Sequence, residues 1–356
     1  MAQHALTQEQ AGALYRDGYV VLPGIVPMSL VRAMQRLVHR NIGRQLHALQ
    51  AMQRPPTPAD LARIDRANKA GEAAQYDPAI LALMFDTPLA RVVERAMGAP
   101  MLPIRGAQLA TLFPAAPNNR VNESGYRDRD TPFFGWHGHL DGLWNGATPM
   151  HQDIESPMSD AAFAAWNADV AANGQPKTYP GCGANIANFT ALVGVALSDQ
   201  REEGVGNLAL LKGAHHAIAA FFRTQRDAGG PLGPDGPGWP RLDRTAPNGC
   251  GLRHYPDSVR AAFMAGGVVA ENGRQWPRPT QVRAAPGDAV VVLHGLPHDS
   301  TRVEGHEPRL MAYFRVTRSG RPVGCETVYP DALCEPFIEW TGLRLDAPGV
   351  RMLAER

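Results

Sequence analysis

The sequence predicts a mainly β protein, a sandwich or barrel of short strands preceded by about a hundred mostly helical residues. Three observations predict it. Beyond residue 100 the apolar runs are short and punctuated by Gly, Pro and Asn: 107–113, 189–197, 208–211, 289–293 and 310–316. Runs of that length between turn residues are strand signals. No helix-length segments alternate regularly with them, which disfavours a parallel α/β sheet. Before residue 100 the apolar spacing is instead helical.

The elements follow in order. Thr7 can cap a first helix, with Gln10 at the capping-box position and Gly18 as the stop. Tyr19-Val20-Val21-Leu22 is a β-type run closed by Pro23-Gly24. Ser29 precedes Leu30, Met34, Leu37, Val38 and Ile42, one apolar helical face. Further helices are expected around 58–72 and 88–97. Residues 143–186 are loop-rich, with a helix-like piece over 160–170. Nine of the twelve residues 229–240 are Gly or Pro, so that stretch reads as a surface loop.

Composition limits the function classes. A chain of 356 residues can bury a real core. Its 35 basic and 34 acidic side chains nearly cancel, so no field draws it to nucleic acid or to an anionic membrane. No apolar run approaches the ~20 residues of a membrane span. The start of the sequence lacks the basic and apolar regions of a secretory signal. Cys182, Cys250, Cys325 and Cys334 are scattered, without the spacing of a thiolate zinc site or a disulfide framework. A reduced, cytoplasmic enzyme with a small-molecule substrate is expected; oligomeric state is left open.

The chemistry lies in the histidines. His139 and Asp141 are two residues apart, so on a strand they point to one face. Phe133, Phe134 and Trp136 supply the strand before them, and Gly142 ends it. A third ligand is expected from the end of another strand, and His298 follows the run 289–293 in what reads as a loop. Two His and one carboxylate on one face of an octahedron suit iron(II), leaving three positions for a co-substrate and O2. Arg309, eleven residues beyond His298, offers the planar fork that a dicarboxylate co-substrate needs, and Ser300 can add a hydroxyl. Iron(II), Asp141, a 2-oxo dicarboxylate and Arg309 sum to a neutral site.

Competing assignments exist. His151-Gln152-Asp153 is a second His-x-Asp, without an apolar strand before it. His294 competes with His298 but lies within the expected strand. His137 reads as a neighbour of the metal site rather than a ligand. His215-His216 read as a turn at a strand end, and His254 and His306 as solvated. Trp136, Trp144 and Asn145 adjoin the motif and are candidate substrate-pocket residues; core packing explains the aromatics equally well.

At this point the sequence resembles the phytanoyl-CoA dioxygenase (PhyH-like) branch of the iron(II)/2-oxoglutarate oxygenases. The resemblance rests on residues 6–10 with 17–24, on 188–199, and on Gly206-Asn207-Leu208 through His216. It rests also on the distal segment Pro286-Gly287-Asp288, His298, Ser300 and Arg309. It implies a mainly β fold with flanking helices, a double-stranded β-helix (a cupin-like jelly roll) behind N-terminal helices. The whole chain 1–356 is then one domain: a mostly helical part over 1–100, a core over 101–320 with insertions at 143–186 and 217–281, and an extension over 321–356.

The resemblance further implies His139, Asp141 and His298 as iron ligands, with Arg309 and Ser300 on the distal carboxylate of 2-oxoglutarate. Gln108 or Thr111 matches a region that often contacts the co-substrate. The chain departs from the family in Lys212 and Ala214, where Pro and Ser are usual, and in the long interval from His139 to His298. The expected function is oxidation of a small molecule with release of succinate and CO2, hydroxylation above all; Asp141 argues against halogenation. The alternatives are a cupin-like metalloenzyme that does not use 2-oxoglutarate and an inactive small-molecule-binding barrel.

Overall fold

The computed structural model describes residues 5–51, 54, 57, 76–114, 189–229, 268–269, 275–276, 280–293, 296, 298–301, 303, 305–319, 340, 343, 345–346 and 351–352. Helix α1 (Gln8–Asp17) starts as expected. The Thr7 side chain accepts from the Gln10 amide, and the Gln10 side chain accepts from the Thr7 amide. Gly18, at φ 83°, ends it in the left-handed conformation that glycine adopts without strain. Strand β1 (Tyr19–Leu22) follows, then α2 (Met28–Gln50).

Helix α3 (Pro78–Phe85) was not anticipated, although Asp77 caps it and Pro78 stands at its first position. Its sequence is almost wholly apolar and shows no period. Helix α4 (Leu89–Met97) matches the expected one. The helix expected near 58–72 and the segment 143–186 lie outside the described residues.

Eleven further strands follow among the described residues: β2 (Gln108–Leu112), β3 (Ala191–Ala196), β4 (Leu208–Leu210), β5 (Val268–Val269), β6 (Gln275–Trp276), β7 (Thr280–Gln281), β8 (Ala289–Leu293), β9 (His298–Ser300), β10 (Arg309–Val316), β11 (Leu345–Asp346) and β12 (Arg351–Met352), the last two paired with each other. Helix α5 (Ala214–Asp227) lies between β4 and β5.

The large sheet is ordered β1-β8-β3-β10-β2 and the small one β7-β4-β9, every pairing antiparallel. From β7 onward the chain alternates between them: small sheet, large, small, large. Two antiparallel sheets wound by strands that switch sides make a jelly roll. The fold is therefore mainly β, with helices covering the outer face of the large sheet.

Alternation along each strand separates two cores. Val193, Val195, Val291, Leu293, Leu310, Ala312 and Phe314 face outward and pack against Leu14, Met34, Leu83 and Val92 of the helices. Leu192, Val290, Val292, Met311 and Tyr313 face inward, where they meet Leu208 and Leu210 of the small sheet. Strands β3 and β8 are buried on both faces, which is why they read as continuous apolar runs. Trp340 and Leu343, from the segment read as an extension, are buried in the outer core. The segment 217–281 likewise ends in the core, because β7 pairs with β4.

Pro286-Gly287-Asp288 is a staple. The Asp288 carboxylate accepts from the Gly24 and Ala285 amides, and the Gly287 carbonyl accepts from Val26. A side chain at Gly287 would meet the Val26 carbonyl oxygen at 2.6 Å.

His215 and His216 correct the sequence reading: they occupy the first turn of α5, not a turn at a strand end. His215 is fully buried and its Nε2–H donates to the Tyr15 carbonyl. Burial, then the neighbouring His216, pushes its pKa down to about 3. The unfolded chain therefore takes up this proton near pH 6.5 while the folded one resists it. Stability is complete above pH 6.5 and is lost as pH falls toward 3. Urea denaturation is expected to show a loss on the order of 2 kcal/mol between pH 7 and 4.5 from this residue. His215→Gln, which keeps a donor for Tyr15, should flatten that profile; an unchanged slope would refute the assignment.

Candidate active site

Strand β9 pairs with β4 so that His298 stands opposite Leu210 and Ser300 opposite Leu208. Leu208 and Leu210 belong to the inner core. Alternation therefore turns His298 and Ser300 inward as well. His298 is 8 % exposed, and it begins a strand rather than lying in the loop expected there. Its Nδ1 is 3.0 Å from the Leu296 carbonyl oxygen. A carbonyl only accepts, so Nδ1 carries the proton and Nε2 the lone pair, the tautomer a metal requires.

Arg309 enters from the opposite wall. It is the first residue of β10, on the parity of Met311 and Tyr313, and only 5 % exposed. Its Nε is buried without a hydrogen-bond partner, and no carboxylate pairs with the guanidinium among the described residues. Burying such a group costs several kcal/mol unless an anion meets it. The donor set thus fits an absent carboxylate.

Gly206 makes room for Arg309, a role not recognised in the sequence. At φ 81°, a Cβ there would lie 2.8 Å from both Arg309 Cβ and Val303 Cγ2. Gly206→Ala is expected to cost about 1–3 kcal/mol in backbone strain and contact. Because it also displaces Arg309, it should weaken binding of a carboxylate at that guanidinium about tenfold or more by calorimetry. Unaltered affinity would exclude this positioning role.

Asn207, the next residue, ties the floor together. Its Nδ2 lies 2.8, 2.9 and 3.2 Å from the carbonyl oxygens of Gln200, Glu202 and Val282. Its Oδ1 accepts from the Val205 amide and its own carbonyl from Thr301. Gln200 is buried beside it, donating through Nε2 to the sulfur of Met311. Across the sheet, Tyr313 pairs with Gly194, where a Cβ would lie 2.7 Å from the Tyr313 ring.

The two candidates on β2 separate. Gln108 shares the inward parity of Ala110 but pairs with Tyr313, four positions from the Leu112–Arg309 pair. Thr111 pairs with Leu310 and has the outward parity of Leu109. The structure therefore puts Thr111 on the face opposite Arg309, and the sequence could not fix that parity. His139, Asp141, Trp136, Trp144 and Asn145 lie outside the described residues, as do His137, His151, Asp153 and His294. Among the described residues no three His, Cys, Asp or Glu side chains gather as a metal site. No helix among them is long and apolar enough to cross a membrane.

No protein-family model matches the chain, and no curated protein matches it. Among solved structures it is similar to HygX from Streptomyces hygroscopicus, crystallised with nickel and 2-oxoglutarate, at 16% identity and TM-score 0.42 over 89% of this chain and 88% of that one. It is similar to SnoN, a non-haem α-ketoglutarate-dependent epimerase from nogalamycin biosynthesis, at 13% identity and TM-score 0.43 over 98% and 92%. It is similar also to EctD from S. alaskensis with 2-oxoglutarate and 5-hydroxyectoine, at 14% identity and TM-score 0.43 over 90% and 78%. Likenesses of this degree assign the chain to no family.

Proposed function

We propose that this chain is an iron(II)- and 2-oxoglutarate-dependent dioxygenase of the PhyH-like type, one domain acting in the cytoplasm on a small molecule. The observation that carries the reading is the opposition, across the barrel interior, of His298 and Ser300 to a buried Arg309 whose Nε lacks a partner. A cation buried in this way is half of a pair, and the distal carboxylate of 2-oxoglutarate is the half it fits.

His139, Asp141 and His298 would hold the iron, and the Leu296 carbonyl keeps His298 in the binding tautomer. Arg309 and Ser300 would orient the co-substrate, while Leu208, Leu210, Val290, Val292 and Met311 exclude water. With iron(II) and 2-oxoglutarate bound there, O2 would supply the oxidising power, one oxygen atom going to succinate as CO2 leaves and the other to the substrate. Gln108, paired with Tyr313, would stand nearer the rim than the co-substrate, and Trp136, Trp144 and Asn145 would lie on the substrate side. Asp141 would fill the carboxylate position, so hydroxylation rather than halogenation is the proposed outcome.

Anaerobic titration with iron(II) and then 2-oxoglutarate tests this reading. The wild type should develop the weak visible metal-to-ligand charge-transfer band, and Asp141→Ala should lack it. No band in the wild type would sink the proposal.

A further inference from the structure

The inward stripe of β10 continues past Arg309 to the other end of the strand. Leu197, just after β3, donates its amide to the Leu310 carbonyl, so the end of β3 lies level with the start of β10. From there the chain passes Gly206, against Arg309, and rises through Leu208 to Leu210. Ser300 pairs with the lower of these and His298 with the upper. His298 therefore stands farther than Ser300 from the Arg309 end of the barrel. Strand β10 rises in the same sense, and Arg315, six residues beyond Arg309, is about 20 Å along it.

Arg315 has the inward parity of Arg309, Met311 and Tyr313, yet it alone of the residues of β10 is exposed to solvent. Its guanidinium carbon lies 5.7 Å from the Phe189 ring centroid, and its Nη2 donates to Gln108 Oε1 at 3.4 Å. Among the described residues no carboxylate pairs with it. Ring contact on one face and an amide on one nitrogen steady a guanidinium and leave other N–H groups of its planar fork for a ligand.

We infer that Arg315, steadied by Phe189 and Gln108, anchors an oxyanion of the primary substrate at the mouth of the barrel. The inference takes from the proposed function only what lies below it; binding of the oxyanion needs no metal. The barrel then holds one arginine for the co-substrate at its floor and another for the substrate at its rim. His298 lies between them, so the oxidised carbon is several bonds from the anionic group.

Saturation-transfer NMR on the full chain tests this with three probes of one shape: phenylacetate, phenyl phosphate and the neutral phenylacetamide. The measurement is made on wild-type protein and on an Arg309→Met background, which removes the inner cation. At least one anionic probe should bind about tenfold or more tightly than the amide in both. The stronger of the two identifies the oxyanion as carboxylate or phosphate. Arg315→Gln should abolish that preference, and Arg315→Lys should restore part of it. Equal binding of acid and amide, or a preference that survives Arg315→Gln in the Arg309→Met background, overturns the inference. The charge-transfer band reports separately on the proposed function, so either can fail alone.

Discussion

An Arg309→Met protein is expected to be at least as stable as the wild type without ligands, and unable to bind 2-oxoglutarate. The two halves have one cause. In the ligand-free wild type Arg309 is 5 % exposed with an orphaned Nε, a desolvation cost that a thioether of similar length does not carry. Replacing such a charge by an apolar group is neutral or stabilises by about 1–4 kcal/mol. Losing one partner of a buried, hydrogen-bonded charge pair costs about 2 kcal/mol or more, at least about thirtyfold in affinity. Urea denaturation reads the first half, and calorimetric titration with 2-oxoglutarate reads the second. A cupin-like enzyme indifferent to 2-oxoglutarate would show no wild-type binding to lose. A marked destabilisation of the ligand-free variant would mean that Arg309 already has its anion within the protein.

Asn207→Leu is expected to destabilise the protein by about 3–5 kcal/mol. Three carbonyls share the two Nδ2 hydrogens, and Oδ1 takes the Val205 amide. Leucine fills nearly the same space and satisfies none of these groups, each of which costs about 1–3 kcal/mol when buried alone. Asn207→Asp should be no milder, because it keeps the acceptor for Val205 but turns an oxygen toward three carbonyls. The urea midpoints of both variants decide the matter. An Asp variant as stable as the wild type would refute the network as described. Because Asn207 adjoins Gly206, the Leu variant should also loosen the seat of Arg309 and weaken co-substrate binding.

What the sequence disclosed follows how each element is buried. Strands β3, β8 and β10 were legible because both faces are covered and their runs are unbroken. Strand β9 was not, because His-Asp-Ser carries no strand pattern; it is a strand only because β4 lies beside it. Helix α3 hid its period in an all-apolar run. The helix at Ala214 was obscured by Gly213, whose φ of 78° marks a turn and drew the two histidines into it. Candidate ligands could be chosen from chemistry and spacing, but whether Gln108 or Thr111 shares a face with Arg309 depended on a one-residue phase. Gly206 and Asn207 entered the reading only through a family likeness. Their roles rest on close approach and on carbonyls distant in sequence.

Strand β1 has a further consequence for how the protein is made. Its four residues pair with Ala289–Val292, on the far side of most of the chain. Strand β1 thus waits for a partner that lies far along the sequence. Until then β8 offers an unpaired apolar edge, and β1 a short one of its own. Such long-range closure makes folding slow, since the entropy of the loop is lost before the contact forms. The clasp of Gly24 and Val26 on Gly287 and Asp288 then holds that long loop closed.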